Sequence, residues 1–189
     1  MRRVASAALA GLWFVGAAAM AQPGSSPSQP YAELHDRQIK ALSPEQIQGL
    51  RSGRGMAMAL PAELNRYPGP MHALEHADRL GLSPDQRAAL ERQMQAMRTA
   101  AVSLGERLIA LEAELDALFA SGVANGTGID RLTTAIGIAQ GQLRAVHLRT
   151  HLETRATLSE AQVAEYVRLR GYDASTPVGG HGSGGHRRH

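Results

Sequence analysis

The 189-residue chain contains no cysteine, and this absence excludes disulfide bonds, thiolate metal sites and lipid attachment through cysteine. Aromatic residues are also scarce, and Trp13 and Phe14 both lie close to the N-terminus. The core must therefore be built from Leu, Ala, Ile, Val and Met. The alternation of polar and apolar residues that is typical of strands does not compete with helical periodicity anywhere, so the sequence predicts an all-α fold.

The chain also lacks a strong excess of charge of either sign. Without Arg2 and Arg3, 18 basic residues stand against 17 acidic ones, and no basic face or aromatic stacking platform is visible. These features argue against a nucleic-acid partner.

Residues 1–21 have the pattern of a secretory signal peptide, because Arg2 and Arg3 precede an apolar run that ends at Ala19-Met20-Ala21. The run is shorter than the roughly 20 residues that a membrane-spanning helix needs, and the Pro/Ser-rich residues 22–30 are typical of a linker. We therefore expect an exported, soluble product that begins near Gln22, with an uncleaved N-terminal anchor as the alternative. At the other end, the Gly/His-rich residues 174–189 are expected to be disordered.

One pentapeptide occurs three times in related forms: LSPEQ, LSPDQ and LSEAQ. In each copy the Ser can cap a helix N-terminus, and the Gln three residues later can bond back to the capping residue, which together form a capping box. The copies are unevenly spaced, which argues against a solenoid. They predict three helix starts, and the residues concerned are Leu42, Ser43 and Gln46; Leu82, Ser83 and Gln86; and Leu158, Ser159 and Gln162.

Two long helices are predicted between the second and third copies. Apolar residues recur at steps of four and three from Pro84 to about Ala120, and again after the breaker SGVANGTG, from a cap formed by Thr127 with Asp130 to about Ala156. This pattern indicates a long antiparallel helical hairpin within residues 71–173, flanked by short helices in 31–70 and by one more after LSEAQ. One seam cannot cover both faces of each long helix, so we expect a homodimer.

Four of the eight histidines form two pairs spaced four residues apart, His72 with His76 and His147 with His151. Residues four apart share a helix face, so the two pairs could complete a four-nitrogen site for Zn, Cu, Ni or Co. Glu91 is a candidate extra ligand. The alternative is that all four are surface or interface histidines.

Three weaker patterns also concern metals. HALEH, which ends at His76, spells the H-x-x-E-H of one class of zinc peptidases, with Glu75 as general base, but thin helices offer little room for a substrate cleft. The tail histidines could gather a metal ion loosely, but a solvated tail explains them better. The methionines of MAM could bind Cu(I), but core filling explains them better. No Ser/His/Asp arrangement or phosphate-binding glycine loop is visible, so we expect a protein that is not an enzyme. The tail pattern contains His181, His186 and His189, and the MAM pattern contains Met56 and Met58.

The stretches LGLSPDQRAAL, before the first long helix, and HLETRATLSEAQVAEY, after the return helix, resemble the periplasmic Spy/CpxP and ZraP/CnrX group, which is named for paired L-T-x-x-Q motifs. The resemblance covers about Met71 to Tyr172, with Ser in place of the usual Thr. It implies a curved helical hairpin dimer in the periplasm that acts in envelope stress or heavy-metal resistance.

The resemblance implies two roles. Spy-like members bind partly unfolded client proteins without ATP, whereas sensor members bind Ni, Co, Zn or Cu and report to an inner-membrane signalling partner. His72 and His76 match the sensor's upstream His-x-x-x-His, but the other sensor ligands fall at positions that differ from His147 and His151. A dedicated ATP-independent chaperone with no specific metal site is therefore the alternative to a metal-binding function.

Overall fold

The structure is a computed structural model, and it describes residue 31 and residues 34–173. The signal peptide (1–21), the linker (22–30) and the tail (174–189) that the sequence predicts lie outside the described residues. All of the described helices belong to the unit that begins at Leu34. They are α1 (Pro44–Arg51), α2 (Leu60–Glu63), α3 (Pro70–Glu75), α4 (Pro84–Ala120), α5 (Gly126–Thr157) and α6 (Glu160–Leu169).

The expected all-α fold with a long helical hairpin is confirmed. Within residues 34–173 there is no strand beyond the single bridge between Ile39 and Leu42. Helix α4 has 37 residues and α5 has 32, and the two pack together along an apolar seam. None of the helices in this part of the chain is both long and apolar enough to cross a membrane.

The start of α5 differs from the prediction in its capping residue. Asn125 is the N-cap, and its side chain accepts a hydrogen bond from the Gly128 backbone N–H at 2.9 Å. The cap that the sequence predicts, Thr127 with Asp130, is therefore wrong. The turn after α4 contains Gly122 at a positive φ of 73°, and α5 begins at Gly126. The cap therefore falls on Asn125, which is one of the strongest N-cap residues.

Each of the three pentapeptides starts a helix with a complete capping box. The serine hydroxyl accepts from the glutamine N–H, and the glutamine carbonyl accepts from the serine N–H, at the starts of α1, α4 and α6. The second and third copies also bind each other, because the side-chain amides of Gln86 and Gln162 donate to one another at 2.9 and 3.0 Å. The pentapeptides are therefore architectural, and two of them join the two ends of the hairpin.

The short helices cover one side of the hairpin in two apolar clusters. In the first cluster, Leu50 of α1 packs against α4 and α5 with Ile39, Leu42, Leu108, Ile136 and Leu143. In the second, α3 and α6 pack against the start of α4, with Tyr166 and Val163 fully buried. Because one chain is described, the predicted homodimer stays a prediction.

Candidate functional site

The stretch from Leu60 to Met71, called here the apolar segment, exposes four large apolar side chains to solvent. Leu60, Leu64, Tyr67 and Met71 are 48%, 54%, 38% and 51% exposed. Single exposed apolar residues are common on protein surfaces, but four in one short segment form a candidate interaction surface. Such side chains could have stabilised the protein by burial, but in this segment they remain in contact with water.

Left-handed backbone conformations lie just before and within the apolar segment. Met56, Ala57 and Arg66 have positive φ angles of 39°, 62° and 67°. Each is unfavourable for a residue with a Cβ, at a cost of about 1 kcal/mol or more. The surrounding contacts must hold this backbone in place, and strained segments of this kind often lie at functional sites.

A buried carboxylate holds the apolar segment on the hairpin. Glu63 is 8% exposed, and its Oε1 accepts hydrogen bonds from the Tyr166 hydroxyl at 2.6 Å and from the Tyr172 hydroxyl at 3.2 Å. Arg170 Nε lies 3.4 Å from the same oxygen. Burial raises the pKa of Tyr166, and the hydrogen bond and charge of Glu63 raise it further. We call these residues, together with His151, the Glu63 cluster.

His151 connects the Glu63 cluster to the backbone of the apolar segment. Its Nδ1 lies 2.7 Å from the Tyr67 carbonyl oxygen, to which it donates, and 3.7 Å from Glu63 Oε2. The ring packs on Gly69, where an added Cβ would lie 3.0 Å from the ring Cε1 atom. Tyr166 also accepts from the Gly69 N–H at 3.3 Å. The segment is thus anchored on the rest of the fold by polar groups, while its four large apolar side chains are exposed to solvent.

His147, the partner of His151 in the second predicted pair, is buried against the loop before α2. It is 4% exposed, and its Nε2 has no hydrogen-bond partner within the part of the chain that the structure describes. Burial lowers the pKa of His147, and the nearby His151 lowers it further. The side chain is therefore a buried neutral imidazole at neutral pH.

The first histidine pair lies at the C-terminal end of α3. His72 Nδ1 donates to Glu75 Oε2 at 2.8 Å, and this hydrogen bond lowers the pKa of Glu75. His76 is the C-cap of the helix. Glu91, the candidate extra ligand, is exposed on α4.

The four-histidine centre built from both pairs stays a prediction. Across residues 34–173, no group of three His, Cys, Asp or Glu side chains is placed to hold one metal ion. Metal binding by either pair alone stays a prediction, and His181, His186 and His189 lie outside the described residues.

No signal in the sequence points to the Glu63 cluster, because its residues come from three distant stretches and no local spacing connects them. A partial signal existed for the apolar segment, since Leu60, Leu64 and Met71 occur among proline and glycine residues that break helices. Apolar residues in such a loop must either pack or be exposed, and spacing alone cannot decide which.

Comparison with known proteins adds no further assignment. No protein-family model, curated protein or solved structure matches this chain. Any functional proposal therefore depends on the residues and on their geometry.

Proposed function

We propose that this protein is a non-enzymatic, ATP-independent binding protein for unfolded clients, of the Spy/CpxP type, and that it acts in the periplasm. The observation that carries the proposal is the apolar segment, which exposes Leu60, Leu64, Tyr67 and Met71. The predicted signal peptide supports export. The capped helical hairpin supports the resemblance to the family.

The apolar segment has the physical properties that client binding requires. Unfolded chains expose apolar side chains, and covering these against a second apolar surface removes both from water, at about 25 cal/mol per Å². A surface of four side chains gives weak binding, so a client can leave again without ATP. The Glu63 cluster holds the surface in place. Less conformational entropy is therefore lost when a client binds.

An aggregation assay tests this proposal. A denatured globular enzyme is diluted into buffer with a several-fold molar excess of the mature protein, and light scattering is followed without ATP. We expect suppression by the wild type and strongly reduced suppression by Leu60→Ser/Leu64→Ser/Met71→Ser. The matched control is Phe119→Ser/Ile138→Ser, because these residues are 58% and 51% exposed elsewhere on the hairpin.

Two results would contradict the proposal. The first is no suppression by the wild type at this excess. The second is an equal loss in the triple variant and in the control, which would mean that exposed apolar residues act without regard to their position. Circular dichroism of each variant separates loss of binding from loss of fold.

Metal binding is the second candidate function, favoured by the contact between His72 and Glu75. Metal-ligating histidines commonly donate their second ring N–H to a carboxylate, and the bond from Nδ1 to Glu75 leaves Nε2 of His72 available. Calorimetry with Ni²⁺, Co²⁺, Zn²⁺ and Cu²⁺ should then show one tight site that disappears in His72→Ala/His76→Ala. Binding that survives this change but is lost on removal of residues 174–189 would move the site to the tail.

The zinc-peptidase alternative for HALEH has its own test. Peptide hydrolysis by the zinc-loaded protein that is abolished by Glu75→Gln would establish it. We expect no hydrolysis, since an enzyme needs a substrate cleft and a further ligand.

A further inference from the structure

Methionine supplies all of the sulfur in this chain, because cysteine is absent. The methionines within the described residues are Met56, Met58, Met71, Met94 and Met97. Met56 and Met71 are 39% and 51% exposed, and the other three are less exposed. The two most exposed methionines of this part of the chain therefore lie just before and within the apolar segment, at the proposed client-binding surface.

Met71 contributes directly to the apolar surface. It follows Pro70 in the first turn of α3, and it is the second most exposed of the four large apolar side chains of the apolar segment. Oxidation of the thioether to a sulfoxide converts a flexible apolar side chain into a polar one. One of the four side chains that a client covers would then hold on to its water, and the apolar contact would shrink accordingly.

Met56 affects the same surface through the backbone. Its Sδ packs so closely on Gly49 of α1 that a Cβ on Gly49 would stand 2.4 Å from the sulfur. Met56 and Ala57 hold positive φ angles of 39° and 62°, and the Ala57 carbonyl accepts from the N–H of Leu60, the first residue of α2, at 3.1 Å. A sulfoxide is larger and more polar than a thioether, so it fits less well against Gly49. The strained backbone before α2 then loses one of the contacts that hold it.

We propose that Met71 and Met56 are oxidation sites whose conversion to sulfoxide switches off client binding by the apolar segment, an inference that rests on the proposed function. The oxidant is a peroxide. The thioether sulfur attacks one oxygen of hydrogen peroxide, the O–O bond breaks and an S–O bond forms. The departing hydroxide takes the proton from the transferred oxygen, so the methionine loses two electrons and the peroxide is reduced to one water. Methionine sulfoxide reductases reverse the change, so the switch can be reset.

Peroxide treatment of the exported chain tests the proposal. Peptide mass spectrometry over a time course should show Met71 oxidised first and Met56 second, each about fivefold faster or more than Met94 and Met97, because the oxidant reaches exposed side chains more readily. In the ATP-free scattering assay, the molar excess of oxidised protein that halves aggregation should rise about fivefold or more. Treatment with two sulfoxide reductases, one for each sulfoxide epimer, should restore the original value. Circular dichroism checks that the oxidised protein stays folded.

Leucine variants assign the effect to these two positions, since leucine keeps the volume and apolar character of methionine and lacks its sulfur. Met56→Leu/Met71→Leu should suppress aggregation before and after peroxide. The matched control, Met94→Leu/Met97→Leu, should lose activity on oxidation as the wild type does.

Three results would each overturn the inference alone. They are equal oxidation rates at all four positions, an oxidised wild type that remains as active as the reduced one, and a Met56→Leu/Met71→Leu protein that peroxide inactivates as strongly as the control. A reduced wild type that suppresses no aggregation would instead contradict the proposed function, and the inference would fall with it.

Discussion

Gly105→Ala should destabilise the protein, although alanine forms helices better than glycine. Gly105 lies in the middle of α4, where a Cβ would stand 2.5 Å from the Leu50 carbonyl oxygen and 2.9 Å from the Leu50 carbonyl carbon. Both are backbone atoms of α1, so no side-chain rotation can relieve the overlap. Helix α1 would have to move away from α4, and Leu50, which is 3% exposed, would lose part of its packing.

The size of this effect follows from two opposing contributions. Overpacking a core costs about 1–3 kcal/mol, with the upper part of that range expected where backbone must move, while replacing a helical glycine by alanine gains about 1 kcal/mol. The net loss is about 1–2 kcal/mol. Gly141→Ala is the matched control, because an added Cβ there meets nothing within 4 Å, and it should gain about 0.5–1 kcal/mol.

Urea denaturation followed by far-UV circular dichroism measures both variants against the wild type. The free energies of unfolding of the two variants should differ by about 1.5–3 kcal/mol, and their melting temperatures by roughly 3–12 °C. A Gly105→Ala protein as stable as the wild type would refute the close packing of α1 on α4. A loss in Gly141→Ala would show that this face of α5 is covered by another surface.

Three further changes test other contacts. In urea denaturation at low protein concentration, Gln86→Ala should lower the free energy of unfolding by about 2 kcal/mol more than Gln46→Ala. The reason is that Gln86, unlike Gln46, bonds to another pentapeptide. Equal losses would contradict the pairing. Tyr166→Phe should cost about 1–3 kcal/mol, since Glu63 loses its shortest donor while remaining buried, and a neutral result would contradict this role. Burial lowers the pKa of His147, so the unfolded chain binds the proton more tightly. The contribution of His147 to stability is then complete above about pH 6.5 and is lost as the pH falls through the lowered value. Between pH 8 and pH 5 the free energy of unfolding should fall less steeply in His147→Leu than in the wild type. An unchanged slope would contradict the buried neutral ring.

The hairpin could be predicted because its determinants are local. A run of apolar residues at helical spacing is visible in any sequence, and so are the pentapeptide that starts α4 and the glycine-rich break before α5. The ends of α4 agree with the prediction at Pro84 and Ala120. The cap of α5 was wrong by two residues, because Asn125 and Thr127 are both good N-caps and only the turn decides between them.

The candidate site could not be predicted because its determinants are distant in sequence. Glu63, Tyr166 and Tyr172 meet only after α2 and α6 have packed on the hairpin. His147 and His151 both lie on α5. Their spacing could not show that the ring of His147 is buried and that the ring of His151 donates to the Tyr67 carbonyl. The same limit applies to Gly105, whose contact with Leu50 is made between two separate helices.

Site-specific photocrosslinking is the most direct test of client binding by the apolar segment. A benzophenone amino acid in place of Leu64, which is 54% exposed, should capture a client that is unfolded at the time of irradiation and should capture little of the same client after it has folded. The same group in place of Ala110, on an exposed part of α4, should capture little. Equal capture at the two positions, or capture at Ala110 alone, would contradict the account.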